Sequence, residues 1–382
     1  MDKDIKIGIV GGGIGGLTTA LCLEHFGFHN YIVYEQAPAF EEVGAAVSLW
    51  PNALYVYQQI GLYEQLSTQW GEIKAAYVKT DTGKVLSETI PQYDLPLVCI
   101  HRADLLNTLL SCVTAHKLRS DHRLQEVQLG QQQSKLIFDQ GHEATVDVVI
   151  GADGIHSKVR QQLINDGPPI FRGYNVWRGI AELENVPTGY TSETWGKGSR
   201  IGIVPIKDHK FGWWATLNEG EDQPDGPQGA QEKLLEAFGD WHHPIPQLFE
   251  KSPKIIKNKV GDRVPITSWY HANAVLIGDA AHPTTPNLGQ GACMAIEGAF
   301  LLSKCLDQLD SMQEAFQAYQ NLHLKRTTEI VKQSLQSGKI GQLENQMAIK
   351  ARNAVISHMP RKIVMRMMDR FFGYNVTQVK VS

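Results

Sequence analysis

The feature that most constrains this chain is the apolar run Ile5-Lys6-Ile7-Gly8-Ile9-Val10, which ends at once in Gly11-Gly12-Gly13-Ile14-Gly15-Gly16 and continues into small helical residues from Leu17. A strand that empties into clustered glycines and then a helix suits a dinucleotide phosphate. Gly11 permits the tight turn, Gly13 lets backbone approach a pyrophosphate, and Gly16 lets helix and sheet pack closely. The helix start at Ile14 and Gly15 turns free N–H groups and a positive dipole end toward the phosphates. A second apolar run, Tyr31-Ile32-Val33-Tyr34, ends in Glu35, about 20 residues past the glycines, where a carboxylate reaches a ribose hydroxyl and disfavours a 2′-phosphate. These segments name only an adenosine half. FAD and NAD both stay open at this point, as does a plain glycine-rich turn.

A chain of 382 residues has room for two lobes around a sizeable core. Its net charge of −4 gives no basic field, which argues against nucleic acid as the main partner. Five cysteines, odd in number and without a Cys-x-x-Cys pair, argue against a disulfide framework and a zinc site. They read as buried thiols in a reducing compartment. Met1-Asp2-Lys3-Asp4 runs straight into the first strand without a leader-like stretch, so the expectation is a cytoplasmic protein. No uncharged apolar run approaches the ~18–20 residues that span a bilayer.

Further along, Val43-Gly44-Ala45-Ala46-Val47 is a small-residue segment that lets a flat ring lie against backbone or simply packs, and Trp50-Pro51-Asn52 then starts a helix over 53–60. Residues 74–97 alternate in polarity and predict an antiparallel excursion. A helix is expected from His101 to about His116, with Arg102 in its first turn able to meet a phosphate, Glu35 or solvent. The strand Val146 to Ile150 feeds Asp153-Gly154, in isolation an ordinary turn dipeptide. Six of the eight tryptophans fall in residues 171–269, whose short alternating runs predict a second, antiparallel lobe. Its aromatic density suits a pocket for a flat substrate or an ordinary core. A third strand, 274–277, ends in Gly278-Asp279-Ala280-Ala281-His282-Pro283 and the loop Pro286-Asn287-Leu288-Gly289-Gln290-Gly291, followed by helices over 292–309, 314–337 and 342–373.

Taken together, Gly11-x-Gly13-x-x-Gly16 with Glu35, then Asp153-Gly154, then Gly278-Asp279 resemble, in order, the fingerprints of the FAD-dependent aromatic hydroxylases of the p-hydroxybenzoate hydroxylase type, the class A flavoprotein monooxygenases. The resemblance covers the chain to about residue 340. Val43 to Asn52, Trp177-Arg178-Gly179 and the loop 286–291 look most like the branch of salicylate, 3-hydroxybenzoate 6- and urate hydroxylases and zeaxanthin epoxidase.

That resemblance implies an α/β fold with an α+β second lobe. Its parts are a Rossmann-like FAD-binding domain with a parallel sheet (1–73, 100–170 and 270–340), an antiparallel-sheet substrate lobe (74–99 and 171–269) and a C-terminal helical segment (341–382). It implies that Asp279 bonds the ribityl chain, that Arg102 contacts the cofactor near its pyrophosphate, and that Asp153 and Gly154 serve both FAD and the nicotinamide donor. Gly44 and Ala45 join the cofactor-binding set. Pro286, Gly289, Gln290 and Gly291 would sit beside the isoalloxazine, where backbone N–H groups and a helix dipole stabilise negative charge on the reduced ring. Arg200 is a candidate for contacting substrate or a solvated strand residue, and His282 a base or, as preferred, a structural histidine.

The implied reaction is oxygen transfer from O2, by way of a flavin C4a-hydroperoxide, to an electron-rich small molecule. NADH or NADPH is the transient donor, because no second glycine fingerprint provides a domain for it. Alternatives are an epoxidase of a polyene, a reductase or oxidase without oxygen insertion, a halogenase and a non-catalytic FAD-binding regulator. The Trp-x-Trp-x-Ile stretch of halogenases is missing, since Trp213-Trp214 lacks the spacing. No metal is required, and the protein is expected to be a monomer or homodimer.

At the C-terminus, Lys350, Arg352, Arg361, Lys362, Arg366 and Arg370 interleave with Val355, Ile356, Met359, Ile363, Val364, Met367, Met368, Phe371 and Phe372, an amphipathic helical pattern with a basic face. Pro360 interrupts it. Docking on the protein body is the preferred reading over contact with an anionic membrane.

Overall fold

All four residues of the strand Ile7–Val10 are buried, as an apolar run between two parallel neighbours requires. The computed structural model describes residues 1–40, 45–130 and 132–381. It sets Ile7–Val10 between Val148–Gly151 and Tyr31–Tyr34, both parallel to it. Leu118–Arg119 extends this sheet on one side and Ala274–Leu276 on the other, again in parallel. The short Tyr270–His271 closes it as an antiparallel edge, making six strands. The carboxyl ends of Ile7–Val10, Val148–Gly151 and Ala274–Leu276 carry the three fingerprints, so distant sequence segments share one sheet edge, where α/β sheets bind ligands.

A seven-stranded sheet holds Ile255–Asp262, Ile170–Glu182, Lys210–Asn218, Ser199–Pro205, Tyr190–Trp195, Ala75–Thr80 and Val85–Thr89, in that order. Its pairings are antiparallel with one exception. Ala75–Thr80 forms an antiparallel hairpin with Val85–Thr89 but meets Tyr190–Trp195 in parallel, because it arrives from outside the lobe instead of by a tight turn. Leu97–His101 belongs elsewhere, to a three-stranded sheet between Ala46–Leu49 and Gly71–Ile73.

Alternation divides the seven-stranded sheet into two faces. Trp177, Trp213, Phe238 and Phe249 form one buried cluster, with the Trp213 and Phe249 rings edge to face at 5.0 Å. Trp177 and Trp213 therefore serve the core. Tyr174, Val176, Val260 and Trp214 gather separately.

Helix boundaries differ locally from expectation. The helix that Arg102 opens ends at Cys112, followed by a separate 3-10 turn at Ala115–Lys117. Met312–Gly341 starts and ends outside its predicted limits; Ser311 caps its start, accepting from the Glu314 N–H at 3.2 Å. The single helix expected over 342–373 is two, Gln346–His358 and Arg361–Phe372, parted at Pro360. The five cysteines are free thiols. Among the described residues no helix is long and apolar enough to cross a membrane.

Candidate active site

The glycine turn is built by close approach. Gly11 has φ +108°, and a Cβ there would lie 2.4 Å from the Ala152 carbonyl oxygen. A Cβ on Gly16 would lie 1.9 Å from the Gly11 carbonyl oxygen, so the helix Ile14–His25 can cross the turn only without one. Gly13, by contrast, has nothing among the described residues within 4 Å of its Cβ position. It borders open space at a helix start that no described side chain caps, the geometry a diphosphate needs. Gly15 packs toward Ala295.

Glu35 turns back onto this loop. Its carboxylate accepts from the Gly12 N–H at 2.7 Å and from the Ala37 N–H at 2.9 Å, which fixes it beside the glycines and leaves lone pairs for a hydroxyl. Ala45 is also engaged through its backbone, its carbonyl accepting from the Arg102 N–H at 3.1 Å. Val43 and Gly44 lie outside the described residues.

Asp153 is drawn into its own turn. Its carboxylate accepts from Ser157 Oγ at 2.5 Å and from the Lys158 N–H at 2.7 Å, holding the start of the helix Lys158–Leu163. Desolvation nonetheless raises its pKa, against those hydrogen bonds. Gly154 has φ +76° and open space at its Cβ position, and the Asp153 backbone nitrogen lies 2.9 Å from the Cβ position of Gly11. The first and second fingerprints are therefore adjacent.

The third fingerprint meets the first through a residue that none of the motifs contains. A Cβ on Gly278 would stand 3.1 Å from Ala295 Cβ, and one on Gly15 would stand 3.4 Å from the same atom. Ala295 is the pivot, and the small residues Gly291, Ala292, Cys293 and Ala295 at the start of the helix Gly291–Gln308 are the sequence signal that points to it. Asp279 carries accessible surface and stands beside the start of the helix Gly291–Gln308. Desolvation raises its carboxyl pKa to about 6, with the Arg102 guanidinium pulling the other way. Arg102 is itself lowered by desolvation, so it is no ordinary solvated helix arginine. Arg178, on the sheet strand Ile170–Glu182, is lowered by desolvation and by the like charge of Arg102.

The loop after Asp279 is held from several sides. Pro286–Leu288 is a 3-10 turn, and Gly289 follows at φ +61° with its carbonyl accepting from Trp50 Nε1 at 2.9 Å. Gln290 is buried and accepts from Asn52 Nδ2 at 2.9 Å. The helix Gly291–Gln308 starts without a side-chain cap among the described residues, and Asp279 Oδ1 stands 3.9 Å from the Cβ position of Gly291. Glu297, further along this helix and fully buried, accepts from Asn52 Nδ2 at 2.5 Å and from Arg326 Nε and Nη2, both at 2.8 Å.

Arg200 is buried on the sheet face that looks toward this loop, which removes the solvated alternative. It donates to Gln342 Oε1 at 3.0 Å, Glu193 Oε1 at 2.9 Å and Asn287 Oδ1 at 2.5 Å, and lies 5.4 Å from the Trp214 ring. Asn287, which the motifs do not single out, also donates to Tyr174 Oη at 3.0 Å and the Ser334 carbonyl at 2.9 Å. His282 is enclosed among Trp269 and His323, and desolvation lowers its pKa to about 3, which keeps it neutral.

An open glycine turn, an acidic side chain beside it, an accessible carboxyl and an uncapped helix start fit the phosphates, ribose, ribityl chain and ring of FAD. The family described as FAD binding domain matches residues 4–334. The aurachin C monooxygenase/isomerase of Stigmatella aurantiaca is 36% identical over 367 residues, covering 94% of this chain and 95% of that protein. The 3-amino-4-hydroxybenzoate 2-monooxygenase of Streptomyces cremeus is 33% identical over 346 residues, 86% of each. Among solved structures, Klebsiella pneumoniae HpxO complexed with FAD and uric acid has a TM-score of 0.86 at 22% identity, covering 95% of each chain, a likeness of fold. The chain belongs to the FAD binding domain family and, within it, to the flavoprotein monooxygenases that its three fingerprints resemble.

Proposed function

We propose that this protein uses FAD and a transiently bound NADH or NADPH to insert one atom of O2 into an aromatic small molecule. The observation that carries the reading is that the three fingerprints adjoin, the second meeting the first at Gly11 and the third meeting it through Ala295, with Arg200 of the second sheet bonded to Asn287 in the loop that follows. When bound, FAD supplies the electron transfer and oxygen activation. The monooxygenase relatives support the reaction class, and the aromatic compounds in their names support the substrate class.

The roles of the residues follow from their places. Gly11, Gly13, Ile14, Gly15 and Gly16 receive the pyrophosphate, and Glu35 the adenosine ribose. Arg102 balances phosphate charge, while Asp279 accepts from the ribityl hydroxyls. Asp153 and Gly154 shape the turn beside the glycines. Pro286, Gly289, Gln290 and Gly291 place backbone N–H groups and a helix dipole against the ring edge where negative charge develops. Arg200 fixes Asn287 and through it this loop. Tyr174, Val176 and Trp214 exclude water and orient a flat substrate. The first lobe thus holds cofactor and the second covers substrate. A cytoplasmic setting, with its supply of reduced nicotinamide, suits the free thiols.

Flavin content and substrate-dependent turnover test the reading. The purified protein should be yellow with about one FAD per chain, and a suitable aromatic compound should accelerate NAD(P)H oxidation. A colourless protein that does not take up added FAD would contradict it.

A further inference from the structure

The last two helices each carry exposed side chains that the fingerprints do not use. From Asn345 onward the chain carries seven Lys or Arg and one acidic residue, Asp369, a net +6, against −10 for residues 1–344. Of the seven, Arg352 turns inward and donates to the Gly341 carbonyl at 3.1 Å, and Arg370 is paired with Glu329 at 2.6 Å. On Gln346–His358, Met347 is 81% and Val355 60% exposed, and on Arg361–Phe372, Ile363 is 49% and Met367 51% exposed. These are four of the nine large apolar side chains that stand out among the described residues. Ile363, Arg366 and Met367 share one helical stripe, with Lys362 exposed beside it one turn before Arg366 and Arg361 exposed at the helix start.

The opposite face of the same helix is docked. Phe371 packs with Met294 and Ile330, Met368 against Ile73, Leu97 and Cys99, and Arg326 donates to the Arg370 and Phe371 carbonyls at 3.0 and 2.8 Å. The Phe372 ring stacks on Trp50 at 4.9 Å, and Trp50 holds Gly289. The helix is therefore fixed on the body by one side and offers a basic and apolar stripe on the other. Burial on the body and contact beyond it are not rivals.

We propose that this stripe, with the exposed face of Gln346–His358, docks the protein peripherally on an anionic lipid surface. Apolar side chains that enter the acyl boundary, flanked by Lys and Arg that meet headgroup phosphates, are what such a surface recognises. A second copy is the poorer occupant, because a two-fold interface would set the same positive patch against itself. Nucleic acid is also poorer, since Phe371 and Phe372 point inward and leave no exposed aromatic side chain in the stripe for bases to stack on. Because Phe372 and Trp50 join this helix to the loop 286–291, docking sets that loop beside the lipid.

The test uses the FAD-loaded full chain and co-sedimentation with phosphatidylglycerol–phosphatidylcholine vesicles or phosphatidylcholine vesicles, at low and moderate salt. The wild type should pellet with the anionic vesicles and be released by salt. Arg361→Glu/Lys362→Glu/Arg366→Glu should bind at least about tenfold more weakly. Ile363→Ser/Met367→Ser should also lose affinity while the remainder stays salt-sensitive, with FAD content and thermal transition matching the wild type in each variant. Should the charge-reversed protein fold poorly, the serine variant alone decides. The proposal is overturned if the wild type stays in the supernatant with anionic vesicles, if either folded variant binds as the wild type does, or if ultracentrifugation shows a dimer that Met367→Ser dissolves.

Discussion

Arg200 donates through Nη2 to Asn287 Oδ1 at 2.5 Å, tying the second sheet to the loop that precedes the helix Gly291–Gln308. The same guanidinium holds Glu193, and its side chain is 1% exposed. Removing it strands a carboxylate and a buried amide. Arg200→Ala should cost about 3–5 kcal/mol in urea unfolding of the FAD-loaded protein. Arg200→Lys, which keeps the charge and loses the fork, should fall between. A change in Arg200→Ala within about 0.5 kcal/mol would mean that the residue serves substrate alone.

Two glycines of one motif should behave oppositely. Gly13 borders open space, so Gly13→Val should leave the apoprotein's thermal transition near the wild-type value and abolish FAD binding. Gly16→Ala places a Cβ against the Gly11 carbonyl and should destabilise the apoprotein itself. Full flavin retention by Gly13→Val would remove the phosphate assignment.

Asp279 predicts a pH dependence. Its carboxyl is raised from 3.8 to about 6 in the folded chain. Between those values the folded state holds the extra proton, so apoprotein stability falls as pH rises through this window, and the cost persists above it. Asp279→Asn should remove that slope, raise apoprotein stability at pH 7 by about 1 kcal/mol after allowing for water reaching the carboxyl, and weaken FAD binding. A variant with the wild-type pH profile and FAD affinity would show that Asp279 is only part of its turn.

Glu297 links the loop to the chain's last helix through Asn52 on one side and Arg326 on the other. Glu297→Gln keeps the shape and removes the charge that holds Arg326. Hydrogen exchange over residues 361–372 should then quicken, with a stability loss of about 2–4 kcal/mol. Unchanged exchange there would show that the helix is held by Phe371 and Met368 without help from the ion pair.

The elements and their sheets are readable where chemistry is local. Ile7 to Gly16 announces strand, turn and helix because an apolar run, glycines and small residues each act over a few positions. Asp153 and Gly278 are legible as motifs, but the meeting of Gly278 with Gly15 is not, since Ala295 is small and joins them only through space. Arg200 reads equally well as solvated, because nothing in its own strand signals the distant acceptors Asn287 and Gln342. Glu297 looks like any acid in an apolar helix until Arg326, 29 residues on, supplies its partner. Pairings across the fold have no local signature, which is why Val98 and Cys99, expected in the second lobe, pair instead with Leu49 and Ser48.

The central claim is that oxygen from O2 enters an aromatic substrate. Turnover of an aromatic panel with NAD(P)H under isotopically labelled O2, followed by mass spectrometry of the products, addresses it directly. The account predicts a product carrying one labelled oxygen atom, formed only with FAD-loaded protein and reduced nicotinamide. Steady NAD(P)H oxidation across the panel with all consumed oxygen recovered as peroxide, and no labelled product, would contradict it.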